Sequence, residues 1–263
     1  MKGAGEAGGR IGLDGRVALV TGAGQGIGAA IARRLAAERA VVAVNALHPE
    51  KAQRTADEIV AGGGRALAVP GDVASAEVVD ALVGRVESAA GPVEILVNNA
   101  AILKMAGFLE LDPADFDRTI DVNLSGVMHC TRRVLPGMLA ARWGRIVTIA
   151  SQWGRIGAKG ASPYSAAKGG LIAMTTALAR EVEQDGVIVT AIGPGTVDTP
   201  QLNEDAAFMG LSLDEVRDRY SQETLIGRIA SPEEIAGLAV WLASDNAVAL
   251  SGQTVPATGG RSE

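Results

Sequence analysis

The sequence predicts an α/β fold, a doubly wound parallel sheet of Rossmann-like type with helices on both faces, and three observations predict it. Short apolar runs alternate with longer amphipathic segments, a glycine-rich turn joins the first run to the first helical pattern, and no Pro-rich or Ser-rich linker or solenoid repeat breaks the rhythm. Parallel neighbours need connections long enough to return across one face, and right-handed crossovers wind the sheet on both sides.

The elements follow in order. VALVT from Val17, VVAVN from Val41, ALAVP from Ala66, EILVNNA from Glu94, RIVTIAS from Arg145 and VIVTAIG from Val187 read as strands, apolar throughout because both faces are covered. Helical periodicity fills 27–39, 49–61, 75–90, 113–142 and 163–184. After the sixth strand come PGTVDTPQ, a helical piece at 204–220, a helix from Pro232 to Ala243 capped by Ser231, and a last strand in GQTVPA at 252–257. The glycine-rich residues 1–12 read as a frayed tail, which leaves 13–263 as one domain.

Composition narrows the function classes. Hydrophobic residues make up 48% and charged ones 21%, far from the disordered regime. A net charge of -6 disfavours a nucleic-acid partner, which clustered Lys and Arg would serve. No apolar stretch reaches the ~18 residues of a membrane helix, and the tail lacks the apolar run of a secretory signal, so no membrane partner is expected. The one cysteine, Cys130, excludes an internal disulfide, reads as a buried inert thiol and fits a reducing, cytoplasmic setting; no metal site is expected.

Two motifs carry chemistry. TGAGQGIG lies between the first strand and first helix, where Gly22, Gly26 and Gly28 permit a tight turn and close approach of a pyrophosphate to the helix N-terminus. The spacing is weak evidence by itself; its strand-to-helix context gives it weight. In SPYSAAKGG, Tyr164 and Lys168 stand one turn apart on one helix face. A phenol titrating near ~10 is a poor acid–base group at neutral pH, and a cation within ~4–6 Å is expected to favour its phenolate. With two Tyr and few Lys in the chain, that spacing arises by chance only ~0.04 times per chain.

Together these residues resemble the short-chain dehydrogenase/reductase family over nearly the whole chain. The resemblance rests on TGAGQGIG at 21–28, Asp72-Val73, NNA at 98–100, Asn123, Ser151, Tyr164/Lys168 and PGTVDT at 194–199, in that order. It implies an NAD(P)-dependent oxidoreductase that interconverts a ketone and a secondary alcohol. Tyr164 would be the general acid or base, Ser151 would hold the substrate oxygen, Lys168 would grip the nicotinamide ribose and Asn123 would position a water in a proton relay. Cofactor contacts would come from Gly22, Gln25, Gly26, Ile27 and Gly28, from Asn45 and Ala46, from Asp72 and Val73, from Asn98, Asn99 and Ala100, and from Pro194, Gly195, Val197 and Thr199. A homotetramer or dimer built on the two long central helices is also implied.

Three departures are mild: Ala101 where the family usually has Gly, Gly193 before Pro194, and ATGG at 257–260. The informative one is VVAVNALH, which has no acidic residue to bond an adenosine 2'-hydroxyl. No Arg or Lys stands at Asn45, Ala46 or Leu47 either, so the preference leans only slightly to NADP over NAD, with His48 and Lys51 as helpers. Substrate contacts are expected from Gln152 and Trp153, with Ile102, Leu103 and the 200–220 segment, Phe208 and Met209 among it, as further candidates. A ketoreductase of 3-oxoacyl or secondary-metabolite type fits best; alcohol, sugar and steroid-type dehydrogenases, and a non-catalytic dinucleotide-binding regulator, stay open. A serine hydrolase is disfavoured, because Ser151 lies in ASQWG rather than a G-x-S-x-G elbow and the only His residues are His48 and His129.

Overall fold

The computed structural model describes residues 11–182 and 184–261. Seven parallel strands run β3-β2-β1-β4-β5-β6-β7 across one sheet. They are β1 (Val17–Val20), β2 (Val41–Val44), β3 (Arg65–Ala68), β4 (Ile95–Asn98), β5 (Gly144–Ile149), β6 (Val187–Pro194) and β7 (Thr254–Ala257). Strand order reverses between β1 and β4, so a crevice opens there at the strands' carboxyl ends.

The strand alternation sorts the core into two layers. Ala18, Val20, Val42 and Val44 face α1 (Gly26–Ala37) and α2 (Pro49–Ala61), where they pack with Ile31, Leu35, Ala52 and Ile59. Val17, Leu19 and Ala43 face the other side and pack with Leu82 and Val83 of α3 (Ala76–Ala90). Burial on both faces explains why the strands lack polar alternation.

The expected helix at 113–142 is interrupted. α4 (Pro113–Ile120) passes into α5 (Gly126–Ala141) through one π-helical turn at Asp121–Ser125, where the Gly126 N–H reaches back to the Asp121 carbonyl. Such a widened turn often marks a functional position, and Asn123 sits in its middle. The short α6 (Trp153–Ile156) follows β5, and α7 (Ser162–Glu181) leads toward β6.

The expected single piece at 204–220 is two helices, α8 (Leu202–Met209) and α9 (Leu213–Gln222). Gly210 at φ +67° ends the first in the left-handed region, and Ser212 with Glu215 forms a capping box that starts the second. Ser231 caps α10 (Pro232–Leu242) by the same box, its Oγ accepting from Glu234 N at 3.3 Å. Of the expected tail, residues 1–10 lie outside the described residues, and Ile11 already packs against the core. Among the described residues, no helix is long and apolar enough to cross a membrane.

Candidate active site

The cleft is assembled at the carboxyl ends of β1, β4, β5 and β6. Gly22 (φ +63°) and Gly26 (φ +55°) turn the chain from β1 into α1 through conformations that favour glycine. A Cβ on Gly28 would lie 2.5 Å from the Gly22 carbonyl oxygen, and one on Gly22 would lie 2.7 Å from Ala100 Cα. The end of β4 holds this loop. Thr21 Oγ1 accepts from the N–H groups of Asn99 (3.0 Å) and Ala100 (3.1 Å), while Asn99 Nδ2 donates to the carbonyls of Thr21 and Gly22. Gln25 precedes α1 without a side-chain cap, and no acidic residue stands in the first turn, so the helix's leading N–H groups suit a diphosphate. The residues therefore fit a dinucleotide. Thr199 approaches from across the cleft, within 3.4 Å of where a Gly26 Cβ would be.

Several residues expected at the cofactor have side-chain partners within the protein. Asn45 is 1% exposed and turns inward, donating to the carbonyls of Val69 (3.0 Å) and Gly71 (3.1 Å), so its amide fastens the β2 and β3 ends instead of facing a ribose. Asn98 is likewise buried against Thr131 Oγ1 at 3.2 Å, and Asn99 is the member of the pair that borders the cleft. Asp72 bonds Ala74 N at 3.0 Å and Arg118 at 2.7 Å, and Val73 is buried against Gly126, so both brace their loop. Ala46 is buried and Leu47 exposed at the end of β2; the cations nearest the glycine loop come from α2 instead. Lys51 Nζ donates to Gln25 Oε1 at 3.1 Å, and Arg54 donates to the Gly24 carbonyl at 2.9 Å. His48 is an exposed N-cap residue before Pro49.

The reacting groups sit on β5 and α7. Ser151 follows β5, and its Oγ accepts from Trp153 N at 3.1 Å. Tyr164 lies in the first turns of α7, buried, and Ser151 and Gln201 line the same cleft close enough to its hydroxyl to act on it. Trp153 stacks edge-on against the phenol ring with centroids 6.0 Å apart, and Leu103 and Ala161 pack around it. One turn on, Lys168 Nζ donates to the Ile149 carbonyl at 2.6 Å.

The expectation that Lys168 acidifies Tyr164 needs correction. Burial raises the Tyr164 phenol above its ordinary range, although Gln201 and Ser151 pull the other way. Burial lowers the Lys168 ammonium to about 7. The ammonium sits 5.5 Å from the ring centroid and bonds a carbonyl. Desolvation is the leading cause of both shifts.

Asn123 is engaged from the π-helical turn. Its Oδ1 accepts from Ile102 N and its Nδ2 donates to the Ile102 carbonyl, both at 2.8 Å, so the side chain clamps the loop after β4. Cys130 is buried and its thiol is pushed up to about 12, which makes it inert.

Gln152, Trp153, Pro194, Gly195, Val197 and Ile27 line the cleft, as expected. Phe208 instead packs over Gly160, and Met209 joins the α8–α9 core. The residues of the 200–220 segment which do line the cleft are Gln201, Leu202, Asp205 and Tyr220; the segment was expected here, these individual positions were not named. Tyr220 donates to Asp205 Oδ1 at 2.7 Å and ties α8 to α9. Burial raises the Asp205 carboxyl, while the Tyr220 hydrogen bond opposes that shift. The only sequence signal for these positions was their place just after PGTVDT.

Known proteins share this arrangement. The chain is 37% identical over 257 residues to the (2S)-[(R)-hydroxy(phenyl)methyl]succinyl-CoA dehydrogenase subunit BbsD of Thauera aromatica, covering 96% of this chain and 98% of that one. It is 37% identical over 244 residues to the 3-oxoacyl-[acyl-carrier-protein] reductase FabG of Staphylococcus epidermidis, covering 92% and 97%. A single-substitution variant of actinorhodin polyketide ketoreductase, crystallised with NADPH, superposes with a TM-score of 0.89 at 38% identity, over 93% of this chain and 96% of that one. The family profile described as short chain dehydrogenase matches residues 16–209, and with these relatives it places the chain in the short-chain dehydrogenase family.

Proposed function

We propose that this protein is an NAD(P)-dependent ketoreductase, favouring NADP, that reduces a 3-oxoacyl or secondary-metabolite ketone to a secondary alcohol. The observation that carries this reading is a buried Tyr164 beside Ser151, with Lys168 one turn on, all lining one cleft next to the glycine loop. The relatives named above act on acyl thioesters and polyketide ketones according to their names, which supports the substrate class.

When bound, the reduced dinucleotide supplies the hydride. It would be held by the glycine loop (Gly22, Gly26, Gly28), Ile27, the Asn99–Ala100 edge, Lys168, and Pro194, Gly195, Val197 and Thr199. Everything else is the chain's own work. A phenol raised by burial keeps its proton at neutral pH, which suits Tyr164 to donate it to the oxygen of a carbonyl carbon being reduced. Ser151 Oγ stands beside that phenol and would hydrogen-bond the same oxygen as its negative charge grows. Lys168 is fixed by the Ile149 carbonyl, from which it can hold a ribose hydroxyl and replenish the proton on Tyr164. Trp153 and Gln152 border the substrate side. With no acidic residue at the end of β2, nothing there repels a 2'-phosphate, and Lys51 and Arg54 supply positive charge beside the loop.

The same reading includes a cytoplasmic homo-oligomer, a dimer or tetramer associating through α5 and α7, with exposed Met128 on α5 and Phe116 on α4 as apolar contributors. Light scattering distinguishes the states. The activity is tested by following NADPH absorbance over a panel of 3-oxoacyl thioesters, polyketide-like cyclic ketones, sugars and steroids. Consumption with the first two classes is expected. Turnover confined to sugars or steroids favours the dehydrogenase reading, and tight NADPH binding without turnover on any ketone or alcohol favours a regulator.

A further inference from the structure

We propose that the chain carries a second binding site, for a small carboxylate, in the cavity of ≈ 210 Å³ between α6 and the β6–β7 edge, where Gln152, Thr254 and Arg261 hold the ligand. This cavity lies behind Ser151, separate from the catalytic cleft. Only Gln152 lines both.

The first argument is unmet hydrogen bonding. Gln152 is 7% exposed, and its Nε2 meets no acceptor among the described residues. Arg261 Nη1 and Thr254 Oγ1 are also buried without partners, although both residues line the same cavity. Buried polar groups are rarely left unpaired, so three around one cavity mark a place that an acceptor is meant to occupy. Gln152 Nε2 and Arg261 Nη1 can only donate and the Thr254 hydroxyl can do so, a set that calls for an acceptor and not for an apolar ligand.

Charge selects an anion among the acceptors. The guanidinium of Arg261 lines the cavity, and among the described residues no acidic one does. Glu223 engages Arg261 at Nη2 (2.6 Å), while Nη1 keeps its bonding capacity. A planar carboxylate can accept from a guanidinium and an amide at once. The volume is below the ~300–1,000 Å³ of drug-sized pockets, so the occupant is a short mono- or dicarboxylic acid.

Gly193 makes the room. Its backbone does not need glycine, and an added Cβ would meet Thr254 Cγ2 at 3.6 Å and the Ser151–Gln152 peptide at 3.8 to 3.9 Å, ordinary contact distances. A larger side chain there would project into the cavity it lines. The absence of a side chain at 193 is thus explained by the space it leaves. Occupancy would be felt at the active site through Gln152, whose N–H donates to the Pro194 carbonyl at 2.9 Å.

The test is calorimetric titration and thermal denaturation of the full chain with acetate, malonate and succinate, against chloride and phosphate at constant ionic strength. At least one carboxylate should bind saturably and raise the melting temperature. Arg261→Met and Gly193→Val should each weaken that binding tenfold or more, with NADPH affinity held within twofold; Thr254→Val is the substitute should either fail to fold. NADPH binding as the control readout keeps the outcome independent of whether a ketone substrate is found. No saturable carboxylate effect, an equal effect in Arg261→Met, or preference for phosphate would overturn the proposal. Light scattering separates a free acid from a carboxylate of a second copy: dissociation of an oligomer by Arg261→Met, with no response to added acids, would also overturn it.

Discussion

The two ends of the cleft solve the same problem, placing polar groups beside a dinucleotide, by opposite means. At the β5–α7 end, Ser151, Tyr164 and Lys168 are each no more than 9% exposed, and burial shifts Tyr164 up and Lys168 down. At the β2–α2 end, Lys51 and Arg54 reach over the glycine loop from the surface and bond Gln25 and the Gly24 carbonyl. Burial makes protonation states depend on the fold, so the first end suits chemistry. Exposed charge is screened and adaptable, so the second suits discrimination between two forms of one cofactor. Substitutions at the first end should therefore change rates, and substitutions at the second should change only which cofactor binds.

The largest effect in that contrast is expected from Ser151→Ala. Loss of a preorganised donor to a developing oxyanion lowers kcat by ~10²–10³, while NADPH affinity stays within a few fold. Steady-state kinetics beside a fluorescence titration checks both, and a pure KM effect would place Ser151 in binding alone.

Lys168 gives a pH-dependent test that needs no substrate. Its folded-state value of about 7 lies below the ordinary 10.5, so between those limits the unfolded chain holds more proton than the folded one. Stability attributable to this residue therefore rises with pH through that window and is lowest below it, with an upper bound of ~5 kcal/mol at ~1.36 kcal/mol per unit. Melting temperatures of the wild type relative to Lys168→Met should climb from neutral pH toward pH 10. A difference that stays flat would mean that the ammonium is solvated in the fold.

The smallest effect sharpens the other end. Lys51→Met should weaken NADPH binding about tenfold, in keeping with one charge-assisted hydrogen bond, and leave NADH binding within twofold. Equal losses for both cofactors would assign Lys51 to holding the loop through Gln25 and leave the NADP preference without its anchor.

How much of this was legible in the sequence follows the same division. The strands and the first three helices were readable because apolar periodicity is local and both sheet faces are covered. Tyr164 and Lys168 were readable because one helical turn separates them. What escaped depends on contacts distant in sequence. Nothing near Asn123 announces that its amide pairs with the Ile102 backbone, 21 residues away, or that the helix widens there. Asn45 stands at the right place for a ribose contact, yet the carbonyls of Val69 and Gly71 claim it. Within the 200–220 segment, Gly210 ends the first of two helices and Tyr220 of the second folds back on Asp205, a pairing that spacing does not reveal. The mutual influence of Tyr164 and Lys168 was misjudged because spacing reports proximity and not the desolvation that both groups undergo.

The central claim is that the buried phenol of Tyr164 moves the proton. Its most direct test pairs turnover and dinucleotide binding in Tyr164→Phe, on whichever ketone the wild type accepts. The account predicts a folded protein that binds NADPH within a few fold of wild type and reduces the ketone at least ~10²-fold more slowly. Turnover at the wild-type rate would contradict it.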